Sequence, residues 1–446
     1  MKRNLALLSL VVLCITAGPA VAQSPPRCVT LEDAINLALR QNVLLKAAGD
    51  KVEANQHKSL AARSDYFPQL RNESTYAGLV KRQSIDIPQG SLGILGGIIL
   101  PPESERIFQG GNSFALSTTT LGQPITRLLK IRQARGIAEA DTRIAASELK
   151  QAQNEVSVKV HEAYFGLLIL QRLRRAAELA LAAAEEASRD RREAVESGKA
   201  LEVADLEARA GVLEARHALL TLDDQISDLA IDFNDLLGLP LETKVDLVVP
   251  PPLAPTTLSL DGHVELALRQ NPEVHAAEQT VEKAQRGVKA AKTDYIPDIS
   301  VFAQHIYQNG VPFLSRNNGA VGLKMDWEVF DFGKRRQTVA ERESELAAAE
   351  ENLQHVRNQV AVQVEKAYRK VDRSQKMIEV AEQGLAARRE VVRLNGDQFD
   401  AGVIVKASYE DSGAKLAKSE ADLLQAQLGY RLAKAELDRA LGLAAH

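Results

Sequence analysis

Apolar and polar positions alternate in two different rhythms along this chain, and the rhythms sit in separate tracts. Val156, Val160, Ala163, Leu167 and Leu170 step by four and three, as do Val360, Val364, Ala367 and Val371. That spacing is the seam of laterally packed, coiled-coil-like helices. No proline occurs from Ile125 to Leu239 or from Phe313 to residue 446, and alanine and charged residues fill both tracts. Proline costs about 3 kcal/mol inside a helix and alanine is the best helix former, so long helices are predicted there. Each tract breaks once at a glycine, at Gly198 (ESGKA) and at Gly402 (DAGVI), which reads as a helix C-cap followed by a reversal. The rhythm changes at Val321, Leu323, Met325, Trp327 and Val329, which alternate with Gly322, Lys324, Asp326 and Glu328. This is a strand with one apolar face, of a length that suits a tilted membrane strand. Ile299–Gln308 is its predicted partner, across a loop at Asn309–Gly319.

The whole pattern occurs twice. LALRQN stands at Leu37–Asn42 and again at Leu266–Asn271, and Asp65, Tyr66 and Pro68 match Asp294, Tyr295 and Pro297. Farther on, EVSVKV at Glu155–Val160 matches QVAVQV at Gln359–Val364, Gly198 matches Gly402, and LGL occurs at Leu237–Leu239 and Leu441–Leu443. The offset between the copies changes once, by ~25 residues, which places one insertion in the first copy between Pro68 and Pro124. The predicted organisation is a first repeat over 23–240, a Pro-rich linker over 241–258 and a second repeat over 259–443. Each repeat holds a short helix, a strand pair (67–125 and 298–330) and a long helical hairpin (126–239 and 333–442). In the first copy the strands are Leu70–Arg82 and Ser113–Ile125. The Gly/Ile-rich segment Ser84–Asn112 between them reads as an exposed loop, with a disordered insertion as the alternative.

Four strands per chain cannot close a membrane barrel, since the smallest single-chain barrels have eight. An open edge in lipid leaves backbone groups unpaired, so chains of this kind must pool strands.

Composition adds the compartment. The start is Met-Lys-Arg-Asn, an apolar run from Leu5 to about Ala17 and then Ala20-Val-Ala22, a secretory signal peptide over residues 1–22. Its removal takes Cys14 with it and leaves Cys28 as one thiol, so no disulfide can form within the mature chain. The formal charge moves from -4 to -6 as Lys2 and Arg3 leave, which disfavours a nucleic-acid partner. The longest later apolar run, Leu92–Leu100, is too short for a membrane helix.

Catalytic and metal chemistry is missing from the sequence. The eight histidines are scattered without the i, i+4 pair of a zinc site. The Gly90–Gly97 cluster lacks the Lys-Ser/Thr of a phosphate loop, and no nucleophile motif occurs. Neither an enzyme nor a cofactor is expected.

The cleaved signal, the L-x-x-A-x-x-x-A-L-x-x-N opening at Leu31–Asn42, its poorer echo at Leu260–Asn271, and the D-Y-x-P helix exits resemble the TolC family of outer-membrane efflux proteins. Trp327–Lys334 (WEVFDFGK) before the second long helix, the tip glycines and the two LGL ends extend the resemblance over essentially all of the mature chain. It implies a mainly α protein with a β-barrel part: a homotrimer in which duplicated long α-hairpins build a periplasmic tunnel and four strands per chain build a 12-stranded barrel in outer-membrane lipid. It also implies a passive exit duct for a tripartite efflux or type I secretion system, with a periplasmic adaptor and an inner-membrane transporter as partners.

At the tunnel tip the resemblance places Phe399 at a gating aromatic and Asp411 at a constricting acidic ring, with Asp205 on the first hairpin about one residue late. It also makes Gly198 and Gly402 the hairpin turns that an adaptor would touch. Ser408 stands where a further family carboxylate lies and Ile404 where a gating arginine sits, so a gate held by the family's salt-bridge pattern is not expected. The alternative is a periplasmic coiled-coil spacer or adhesin stalk without a pore, which has no use for period-two segments. An inner-membrane-anchored adaptor would need a lipidated cysteine or a membrane helix.

Overall fold

Asparagine, proline and glycine punctuate a chain otherwise committed to helix, and the punctuation is doubled. A computed structural model describes residues 27–80, 83–109, 111–251, 253, 260–310 and 315–443. The signal peptide, Pro252 and Pro255 of the linker, and part of the Asn309–Gly319 loop lie outside the described residues. The first half runs β1 (Arg27–Val29), α1 (Leu31–Gln41), α2 (Val43–Ser64), β2 (Gln69–Gly78), β3 (Gln83–Ile87), β4 (Gly93–Leu95), β5 (Ile98–Leu100), β6 (Glu105–Gln109), β7 (Ser113–Pro124), α3 (Leu128–Glu196) and α4 (Glu202–Leu237). The second runs β8 (Val245–Leu247), α5 (Leu260–Gln270), α6 (Pro272–Thr293), β9 (Asp298–Asn309), β10 (Asn317–Asp326), α7 (Lys334–Asp400) and α8 (Lys406–Leu441). Corresponding helices match closely in length: 11 and 11 residues, 22 and 22, 69 and 67, 36 and 36. At 1.5 Å per residue the long helices are about 100 Å each. No helix among the described residues is long and apolar enough to cross a membrane.

The repeated asparagines explain why the opening helical stretch is two helices rather than one. Asn42 Oδ1 accepts hydrogen bonds from the N–H groups of Leu44 (3.0 Å) and Leu45 (3.4 Å), capping α2. Asn271 Oδ1 caps α6 through Glu273 N–H (2.8 Å), with Pro272 in the first turn where its missing donor costs nothing. Asn271 Nδ2 donates to the carbonyl of Ala440 (2.9 Å) at the end of α8. Gly442 packs so closely there that a Cβ would fall 2.6 Å from Asn271 Cα.

The residues cluster into two compact units. One contains the described chain up to Ala38 with Val160–Leu253 and Gly384–Leu424. In it β1 and β8 form a parallel pair, absent from the sequence reading of the first repeat. The buried Tyr164 hydroxyl secures this pair, donating to Val248 O (2.7 Å) with Val29 O 2.9 Å away and accepting from Val248 N–H (3.0 Å).

The other unit contains Leu39–Lys159, Ala254–Gln383 and Gln425–His446. Its helical core joins Val360, Val364, Ala367 and Val371 of α7, the apolar seam of the second copy, to Tyr430, Ala433, Leu437 and Leu441 of α8. Asp141 of α3 ties both short helices, through Lys283 (2.7 Å) and Lys58 (3.3 Å).

The same unit carries a four-stranded antiparallel sheet in the order β10-β9-β7-β2, so both strand pairs join into one sheet with β10 and β2 as open edges. The register sets Val321, Leu323 and Met325 opposite Ala303, Val301 and Ile299, one apolar face, with Lys324 and Asp326 on the other. β10 ends at Asp326, opposite Asp298 where its partner β9 begins, and so is shorter than the alternation to Val329; farther on, the Asp331 carboxylate starts the turn into α7. It accepts from Gly333 N–H and Arg335 N–H (both 3.0 Å) and from Arg335 Nε (2.6 Å). In the first copy the face that carries Leu70 and Leu121 also carries Asn72, Ser74, Ser117 and Thr119. Those polar groups satisfy one another: Asn72 Nδ2 donates to Ser117 Oγ (3.1 Å) and Thr119 Oγ1 (2.8 Å).

The segment expected as an exposed loop over Ser84–Asn112 forms, in its described residues, two nested antiparallel strand pairs, β3 with β6 and β4 with β5. The inner turn is Gly96-Gly97, with φ of +60° and +84°, the conformation of a two-residue turn that only glycine adopts freely.

Candidate functional site

Both hairpin turns lie in the first-described unit and are built alike. Gly198 adopts φ +72° and Gly402 φ +69°. Gly198 N–H donates to Val195 O (2.9 Å) and Lys199 N–H to Ala194 O (2.8 Å), while Gly402 and Val403 make the same pair of bonds to Phe399 O and Gln398 O. These are Schellman motifs, in which a left-handed residue ends a helix and satisfies its last carbonyls. The LGL ends use the identical device at Gly238 and Gly442. All four helix ends are therefore written by the same local chemistry.

Asp205 sits in the first turn of α4, where a negative charge suits the helix N-terminus. It is 7% exposed. Its Oδ2 receives Arg209 at 2.6 Å, and Arg192 on the facing arm approaches Oδ1 at 3.8 Å. Oδ1 makes no hydrogen bond, and neither does the buried Oδ2 of Asp190 in α3. Asp205 thus braces the two arms of the first hairpin.

Asp411 differs in kind. Its side chain is 52% exposed and is held by Lys415 one turn on, at 2.5 Å. Phe399 stacks on Tyr409 with ring centroids 5.6 Å apart and planes within 6°, so the aromatic lies against its own hairpin's return arm. Ser408 and Ile404, the departures from the family pattern, flank this stack; Ile404 is half-buried.

Lys406 is the residue that sequence reasoning missed. It opens α8 and reaches Glu186 of α3 at 3.2 Å and Glu410 at 3.3 Å, linking the second hairpin to the first within one chain. The hydrogen bond it donates to Glu186, then that to Glu410, raises its pKa above the ordinary lysine value. No spacing in the sequence announces a pair separated by so much chain; only the fold brings it together. Glu186 is in turn bonded by Arg189. Among the described residues no group of three His, Cys, Asp or Glu side chains is placed to hold a metal ion.

Phe399 and Tyr409, Asp411 with Lys415, and the Glu186–Lys406 pair give the tips aromatic and charged groups held by weak, mostly exposed interactions. Such groups rearrange at low cost, since exposed ion pairs contribute roughly 0–1 kcal/mol each. The charged and aromatic groups at the tips can therefore change partners at little cost.

Known proteins share this fold. The outer membrane efflux protein family matches in two blocks, residues 34–239 and 263–443, one per repeat. The chain is 25% identical to the outer membrane efflux protein BepC of Brucella suis over a stretch that spans 41% of this chain and 40% of that one. It is 22% identical to the proteases secretion protein PrtF of Dickeya chrysanthemi over 97% of this chain and 92% of that one. The crystal structure of the CmeC outer membrane channel of Campylobacter jejuni superposes with a TM-score of 0.76 at 15% identity, covering 92% and 85% of the two chains.

Proposed function

The chain belongs to the outer membrane efflux protein family, and we propose that it acts as the passive exit duct of a tripartite efflux or type I secretion system. In this reading three copies pool their sheets into a 12-stranded barrel in the outer membrane, and their hairpins form the periplasmic tunnel. A periplasmic adaptor contacts the turns at Gly198 and Gly402, and an inner-membrane transporter selects and drives the cargo.

The observation that carries the proposal is the four-stranded sheet with open edges at β2 and β10. Backbone groups left unpaired in lipid cost several kcal/mol each, and four strands are half of the smallest barrel. Two exposed apolar seams support assembly of several copies. On α4, Val203, Leu206, Leu213 and Leu220 are 60%, 55%, 64% and 60% exposed. On α7, Met377, Val380, Val391 and Leu394 are 63%, 70%, 40% and 44% exposed. Both follow heptad spacing, and a single chain leaves both uncovered, as adjoining copies in a helical ring require.

At the tip, threefold symmetry sets three Asp411 carboxylates around one axis, where they form a cation-attracting constriction lined by Phe399. Asp205 serves as a positioning residue, bracing the first hairpin through Arg192 and Arg209. Lys406 latches the second hairpin to the first through Glu186 in the resting state.

Conductance across planar bilayers tests this. The wild-type protein is expected to give small, infrequently open channels, and Lys406→Gln to raise the conductance severalfold by releasing the latch. A purified trimer that conducts in neither form contradicts the duct.

A further inference from the structure

We propose that the apolar hairpin β4–β5 is a self-association surface, and that three copies of it meet over the exterior mouth of the duct as an apolar plug. The proposal rests on the trimeric reading above. It concerns the insertion that distinguishes the first repeat from the second.

The segment Pro88–Pro102 contains no charged residue. Within it Leu92, Ile94, Leu95, Ile98 and Ile99 are 72%, 71%, 74%, 63% and 46% exposed. Ile94 pairs across the strands with Ile99, and Leu95 with Ile98, so both faces of the hairpin are apolar. The backbone is well specified: the Gly96-Gly97 turn, the bond from Leu92 N–H to Leu100 O (3.0 Å) and that from Gly90 N–H to Pro101 O (3.1 Å). A stalk beneath it, β3–β6, is pinned by Arg106 Nε on Asp86 (2.6 Å). The arm thus presents an exposed patch of large aliphatic side chains, which soluble surfaces rarely leave uncovered.

A second copy of this chain is the occupant that the remaining observations favour. In the chain the arm follows β2, the edge strand where a neighbouring copy must pair, and precedes β7, with Leu79 N–H bonded to Asn112 O beside the sheet (2.7 Å). Identical arms therefore rise from one rim at equal height, held at high effective concentration by the barrel itself. The reach is sufficient: Gln83–Gly96 extended spans about 45 Å, whereas a 12-stranded barrel has a radius on the order of 12 Å. A charged tip would repel its symmetry mates; an uncharged aliphatic tip is stabilised by the apolar surface it buries against them.

The test uses the full chain in Cys28→Ser background with Leu95→Cys, treated on intact cells with a short bis-maleimide. The mass of the detergent-extracted complex is determined in parallel. A trimer by mass with most of the protein in covalently linked pairs is the expected result. Adding Ile94→Lys and Ile99→Lys is expected to abolish the linkage and raise single-channel conductance severalfold while the trimer persists. A trimer whose Leu95→Cys fails to cross-link overturns the plug and leaves the duct standing. So does a thiol shielded from aqueous maleimide without linkage, which would mean that lipid or a foreign protein covers the tip. A monomer by mass overturns both readings.

Discussion

Single residues in this protein act by ending helices. At Gly402 the φ of +69° lies where a Cβ costs about 1–2 kcal/mol, although nothing stands within 4 Å to obstruct one. The cost of Gly402→Ala is therefore backbone strain alone. It is expected to destabilise the protein by that amount, measured as a lower thermal midpoint in helical circular dichroism. Gly413, inside α8 with no positive φ and equally open surroundings, makes the contrast. Gly413→Ala is expected to raise the midpoint, since alanine gains up to about 1 kcal/mol over glycine in a helix interior. Equal effects at both positions would remove the Schellman turn from the account.

Elements were legible in the sequence to the degree that local chemistry writes them. The two long hairpins follow from proline-free tracts, a four-three apolar rhythm and one glycine each, signals that depend on nothing distant. The split of α1 from α2 at Asn42 was there to be read as an N-cap, but the strong helical pattern on both sides hid it. β1 and β8 are three residues each, too short for any alternation to register, and they exist because Tyr164 bonds both. The Ser84–Asn112 segment reads as a loop because its glycines suggest freedom, whereas Gly96-Gly97 supplies the turn of an ordered hairpin. Candidate tip residues came from resemblance, and sequence could not tell a buried brace (Asp205) from an exposed carboxylate (Asp411). That difference lies in the tertiary pairing with Arg192. Asp141 shows the same limit, because its partners lie on α2 and α6. Its side chain is 15% exposed. Burial pushes its pKa up, but the ion pairs with Lys283 and Lys58 outweigh that and leave it below the ordinary carboxylate value. A carboxyl lowered in the folded state stabilises above its unfolded pKa and loses that contribution as pH falls through the folded value. The thermal midpoint of wild type is expected to exceed that of Asp141→Asn at neutral pH. The difference should shrink as pH drops below the ordinary aspartate range. A difference independent of pH would mean that Asp141 acts by packing, not by charge.

At the scale of the whole molecule the open-edged sheet and the exposed seams both ask for further copies of the same chain. Each would be a liability in a monomer: unpaired strand edges template aggregation, and aliphatic heptad seams leave apolar area in water. In the proposed ring of three, the sheet edges and the seams become interfaces, the seam on α4 of one copy meeting that on α7 of the next. Light scattering of the complex extracted in detergent from an outer-membrane fraction, with the detergent contribution subtracted, tests this most directly. The mass of three mature chains is expected, with a shift to smaller species when Leu206→Glu and Leu213→Glu set like charges into the α4 seam. A monomer or dimer in the wild type, or recovery from the soluble periplasm, would leave too few strands to close a barrel and would contradict the duct.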